Sequence, residues 1–168
     1  MRKILLIVTI SVIFLASTQI VIAEKEIAEK EQERVVIIFF GNLKEDPQTL
    51  YCDRVYPVVR RIVLAAPRTE ALVRAALEAL LKGPTKEEKN QGFFTNINPG
   101  VEIQSLSIDR IHGGTVKVDF NEQLEAGIAG SCLVLGIRAQ IERTIKQFME
   151  IDDAIVSIDG RTEDVLQP

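Results

Sequence analysis

Residues 67–85 read PRTEALVRAALEALLKGPT, and this stretch decides the fold. Val73, Leu77, Leu80 and Leu81 recur at the i, i+4, i+7, i+8 spacing of one buried helical stripe. Ala71, Ala75, Ala76 and Ala79 raise helix propensity and let a neighbour pack closely. Pro67 or Thr69 marks the start. Gly83-Pro84 marks the stop, because glycine adopts a left-handed cap and proline cannot continue a helix. Thr85-Lys86-Glu87-Glu88 then spells a capping box for a short second helix that ends near Gly92. A helix with one apolar stripe needs a second layer to bury it, so the flanking strands complete the reading.

Upstream, Val35 to Phe40 (VVIIFF) is a continuous β-branched and aromatic run. It predicts a central strand buried on both faces. Gly41 to Thr49 is loop, and Tyr51 to Val63 is a weaker strand placed at an edge or bulge by Pro57. Downstream, Val101 to Ile111 and Thr115 to Phe120 predict a hairpin turning at His112-Gly113-Gly114. The alternation slips near Gln104-Ser105, which suggests a bulge. Ser131 to Met149 predicts the second long helix, with Ser131 as N-cap. Its stripe is Leu133, Ile137, Ile141, Ile145 and Phe148, and Glu142 with Lys146 forms an i, i+4 pair. Ala154 to Ile158 is a last strand, closed by Asp159-Gly160. The fold class is therefore α+β: a two-layer sandwich in which two main helices cover one face of a mixed sheet of about five strands. The other face is left for solvent or a partner.

The N-terminus has the three parts of a secretory signal: Arg2-Lys3, the apolar run Ile4 to Leu15, and a more mixed stretch, Ala16 to Ala23, that ends on a small residue. Residues 1–23 are expected to be a signal peptide or signal-anchor, 24–34 a charged tether and 35–168 one domain. Loss of the leader takes the net charge from −4 to about −6. An acidic chain of this kind lacks the basic footprint of nucleic-acid binding, and it touches a membrane only through the N-terminal segment. Cys52 and Cys132 are an even pair, which suggests a disulfide in an exported chain. The alternative is two separate thiols.

Ala76 to Thr85 (ALEALLKGPT) is followed by Glu88 and Gly92, then by Val116 to Phe120 (VKVDF), Gly130-Ser131, Gln147-Phe148 and Ile158 to Arg161 (IDGR). In this order the chain resembles the GerMN domain family, from Leu64 to its end. The resemblance implies an extracytoplasmic module without established catalysis, similar in fold to ring-building motifs. Such motifs pack side by side in envelope-spanning complexes, some of them assembled during sporulation. The chain carries one copy, where the sporulation protein that names the family carries two, and it has no cysteine placed for lipid attachment.

No cofactor, metal or catalytic residue is expected. Asp152-Asp153 with Asp159 lacks calcium-loop spacing, and Asp119 with Glu122 reads as a strand end rather than a carboxylate pair. Nothing pairs His112 with Cys132 as a base with a nucleophile. Tyr56, Arg60 and Arg61, on the proline-marked edge strand, are candidate binding residues for protein recognition. Gly130-Ser131, at a helix N-terminus, is the alternative, an anion site for peptidoglycan or other cell-wall material. The expected partner is an envelope protein or a second copy of the chain.

Overall fold

A computed structural model describes residues 31–111 and 114–167 of the protein. The leader, most of the tether and the His112-Gly113 turn lie outside the described residues.

The first strand, β1, spans Gln32–Asn42 and pairs antiparallel with β2, Tyr56–Leu64. It therefore takes in Gln32, Glu33 and Arg34, residues whose charge had assigned them to the tether. They are held by pairing, since Glu33 stands opposite Val63 and Arg34 opposite Ile62. Helix α1 follows at Thr69–Leu81, then α2 at Lys86–Asn90 and a two-residue strand β3 at Phe93–Phe94. The hairpin of β4 (Ile103–Asp109) and β5 (Thr115–Phe120) carries a register shift between Ile103 and Ser105, where the bulge was expected. Helix α3 covers Ser131–Ile145 and leads to β6, Asp153–Ile158.

The strands do not form one sheet. They form two three-stranded sheets, ordered β2-β1-β3 and β4-β5-β6. Strands β5 and β6 run parallel, which a short turn cannot connect, and α3 supplies the crossover. Helix α1 packs on β1, β2 and β4, while α3 packs on β1, β6 and α1, so the helix pair joins the sheets. One core runs through all of them, with Phe40, Phe120, Leu77, Leu80, Ile137 and Ile141 fully buried.

Strand β1 is central, but it is not buried on both faces. Val36, Ile38 and Phe40 point into the core, while Val35 is 61% and Ile37 36% exposed. Among the described residues no helix lies over Val35 and Ile37 on the outer face of the β1–β2 ribbon, where α3 reaches only Phe39 through Arg143, so an all-apolar run serves a strand covered mainly on one side. β2 is the sheet edge, as Pro57 required.

Helix α3 ends four residues before Met149, because its last turn does a different job. The Gln147 side chain accepts from the Ile37 amide at 2.6 Å and donates to the Ile37 carbonyl at 2.5 Å. The Thr144 hydroxyl accepts from the Phe39 amide at 3.2 Å. These groups occupy the β1 edge that β3 leaves uncovered. Lys146 lies past the helix and pairs with Asp153 at 2.9 Å, so Glu142 pairs with Arg138 (3.3 Å) instead of Lys146.

Candidate functional site

The three edge-strand candidates do not share a surface. Tyr56 stands opposite Phe40 and is half-buried. Arg60 faces inward from β2 and grips Glu88 with both guanidinium nitrogens, one bond being 2.5 Å. The two side chains are only 20% and 13% exposed. Glu88 also closes the capping box of α2, accepting from the Thr85 amide at 2.8 Å. The Arg60 hydrogen bonds, aided by the Thr85 amide and Arg60's charge, hold the Glu88 carboxyl below the usual carboxylate range against the opposing effect of burial. Arg60 therefore ties β2 to α2 and is not presented to solvent.

Arg61, one residue on, points outward by the alternation of a strand. It meets Glu33 across the ribbon at 3.2 Å, and both are exposed. Around them Val35, Ile37, Val59 and Val63 form an apolar surface, with Val59 62% and Val63 56% exposed. Four β-branched side chains on one open face are unusual for a water-facing sheet, where polar residues normally alternate outward.

Gly130 and Ser131 are both exposed. Gly130 is the N-cap of α3, at φ 97°, and Ser131 is the first helical residue rather than the cap. Glycine takes this role because the chain enters the helix through a left-handed conformation.

The cysteines are joined. The Cys52–Cys132 bridge ties the loop before β2 to the first turn of α3. Beside it lies a cavity of about 250 Å³ between the end of β1, that loop, Phe94-Thr95-Asn96 and α3. Its lining combines the carboxamides of Asn42, Asn96 and Gln140 with Val55, Phe94 and Leu133. At its mouth the Arg54 guanidinium lies 3.9 Å from the centre of the Tyr51 ring. None of the carboxamides was picked from the sequence. Gln140 was the one with a signal, being a polar residue beside Ile137 and Ile141 on the buried stripe of α3.

The acidic groups find structural partners. The Asp119 carboxylate accepts from the Ser157 hydroxyl at 2.5 Å and the Gly160 amide at 2.9 Å, which fixes the end of β5. Asp159 accepts from the Gln104 side chain at 2.8 Å. Among the described residues no three His, Cys, Asp or Glu side chains are grouped to hold a metal ion. Nor, among them, is any helix long and apolar enough to cross a membrane.

Similarity to known proteins follows the fold. The tandem GerMN domains of the sporulation protein GerM from Bacillus subtilis match at a TM-score of 0.55 and 22% identity. That match covers 77% of this chain and 40% of the tandem structure, so the chain spans less than half of that protein's length. The first GerMN domain of the same protein, solved alone, matches at a TM-score of 0.53 and 20% identity, over 80% of this chain and 92% of that one. At these identities the likeness shows the fold. None of the curated proteins compared with the chain is similar to it. A family model described as Germane: Sporulation and spore germination matches residues 38–164. The match takes in the core of β1, both long helices and both sheets, and the chain therefore belongs to the Germane family of sporulation and spore germination domains.

Proposed function

We propose that the protein is a non-enzymatic binding module of the bacterial cell envelope, displayed outside the cytoplasm and acting through protein–protein contact on the outer face of β1–β2. The carrying observation is that face: Val35, Ile37, Val59 and Val63 exposed together, with Glu33 and Arg61 between them. An apolar patch on a folded domain marks a surface that another surface covers. The Glu33–Arg61 pair adds one charge of each sign, which sets the register of a partner without steering it strongly.

The sheet's edges favour the same side of the molecule. Thr144 and Gln147 close the free edge of β1, while the outer edge of β2 stays unpaired among the described strands. Backbone donors and acceptors along β2 thus lie next to the apolar face, a combination suited to an extended segment of a partner protein. Membership of a sporulation and spore germination family supports a role for this contact in those processes, and the secretory pattern of residues 1–23 supports its display beyond the membrane.

Crosslinking in the native envelope, followed by mass spectrometry, tests the reading. The doubly substituted Val35→Asp, Val59→Asp chain should keep its far-ultraviolet spectrum and lose the proteins captured by the unsubstituted chain. Unchanged capture by the folded variant would count decisively against it.

A further inference from the structure

The cavity beside the disulfide contains a buried hydrogen-bond donor with nothing to bond. Gln140 is fully buried, and its Nε2 has no partner among the described residues. Its Oε1 accepts from the Thr95 hydroxyl at 2.8 Å. That hydroxyl in turn accepts from the Ile97 amide at 3.1 Å and meets no other acceptor for its own proton among the described residues. The Thr95 proton therefore goes to Gln140, which fixes the carboxamide with its oxygen toward Thr95 and leaves its NH2 without an acceptor. An unsatisfied buried donor costs about 1–3 kcal/mol, so its persistence calls for a group that supplies the missing acceptor.

The neighbouring carboxamides are of the same kind. The Asn42 oxygen is occupied by the Lys44 and Glu45 amides at 2.8 and 3.4 Å, which leaves its NH2 to donate. The Asn96 amide lies where a side chain on Gly136 would be, since a Cβ there would stand 1.9 Å from Asn96 Nδ2. Glycine at 136 thus makes room for Asn96 at the cavity wall. Val55, Phe94, Leu133 and the disulfide supply the apolar part of the lining, and Thr49, Tyr51, Arg54 and Asp46, whose carboxylate accepts from the Leu50 and Tyr51 amides, supply the rest. Beside Gln140, neutral carboxamide donors next to Val55 and Leu133 suit a neutral acceptor that carries a small apolar group.

We propose that this cavity binds an acetamido group, with the carbonyl oxygen accepting from Gln140 Nε2 and the methyl against Leu133 and Val55. Acetamido groups occur on amino sugars and on N-acylated peptide ends, and the probes separate the two. The proposal does not rest on the β1–β2 face.

The experiment titrates the ¹⁵N-labelled domain with N-acetylglucosamine, with glucosamine, and with N-acetylalanine methylamide. Saturable shifts of the Gln140 and Asn96 side-chain amide signals are expected with one acetylated probe and not with glucosamine. The probe that acts identifies the source. Gln140→Leu should weaken that binding at least tenfold, and so should Gly136→Ala, which displaces Asn96 and leaves Gln140 in place. Val35→Asp with Val59→Asp should leave it unchanged, so this site and the β1–β2 face can fail separately. If neither acetylated probe shifts those signals, or if glucosamine shifts them equally, the proposal is overturned. Undiminished binding by both folded variants overturns it as well.

Discussion

Breaking the Cys52–Cys132 bridge should destabilise the domain more than any one core contact. The bridge closes a loop across a sequence separation of 80 residues. In the chain-entropy account a loop of that length removes about 15 cal/mol/K from the unfolded ensemble, or about 4.5 kcal/mol at 25 °C. Both ends sit on ordered elements, the segment leading into β2 and the first turn of α3, so the native state keeps its other contacts when the bond is absent. With a urea slope of about 2 kcal/mol/M, the midpoint should fall by about 2 M. The assay is equilibrium urea unfolding followed by circular dichroism, for the oxidised chain, the reduced chain and the Cys52→Ala, Cys132→Ala variant. The last two should coincide. A midpoint shift below about 0.5 M, or about 1 kcal/mol, would refute the reasoning by showing that the bridge leaves the unfolded chain almost unrestrained.

Two further tests address the joints of the fold. Glu88→Gln breaks the two-pronged contact with Arg60, at a cost of about 1.5–3 kcal/mol at neutral pH. The folded pKa of Glu88 is depressed from its ordinary 4.5, so its contribution is present above that value and is lost as pH falls through the folded one. The stability gap between wild type and variant should therefore close in acid, as read from thermal melts across pH. Gly114→Ala should cost at least about 2 kcal/mol in denaturant unfolding, because Gly114 has φ +69° and an added Cβ would lie 1.9 Å from the Glu150 carbonyl oxygen.

Local pattern carried much of the architecture. The α1 stripe, the Gly83-Pro84 stop, the Thr85–Glu88 capping box, the bulge at Gln104 and the edge position of β2 all emerged where side-chain spacing or backbone chemistry dictates them. These features depend on neighbours within a few residues, which a linear sequence displays directly. The family was legible for the same reason, since the stretches that carry it run along α1 into its stop, along β5 and into the turn after β6.

The candidate sites depended on what comes together across the chain. Val35 and Ile37 look like core residues until the helices are seen to cover only the other side of β1. Arg60 and Arg61 are adjacent in sequence, yet strand alternation sends one to Glu88 and the other to Glu33. The cavity gathers Asn42, Asn96 and Gln140 from three separate segments.

The sequence by itself determined the elements other than the two-residue β3, their order and the family, because helix periodicity, caps and turns are local properties of the chain. Only the tertiary structure decided that the strands divide into two sheets, that β1 keeps one face bare and that Gln140 is left with an unbonded donor. Coverage and hydrogen-bond satisfaction depend on distant segments meeting, and residue spacing along one chain does not encode which partner arrives.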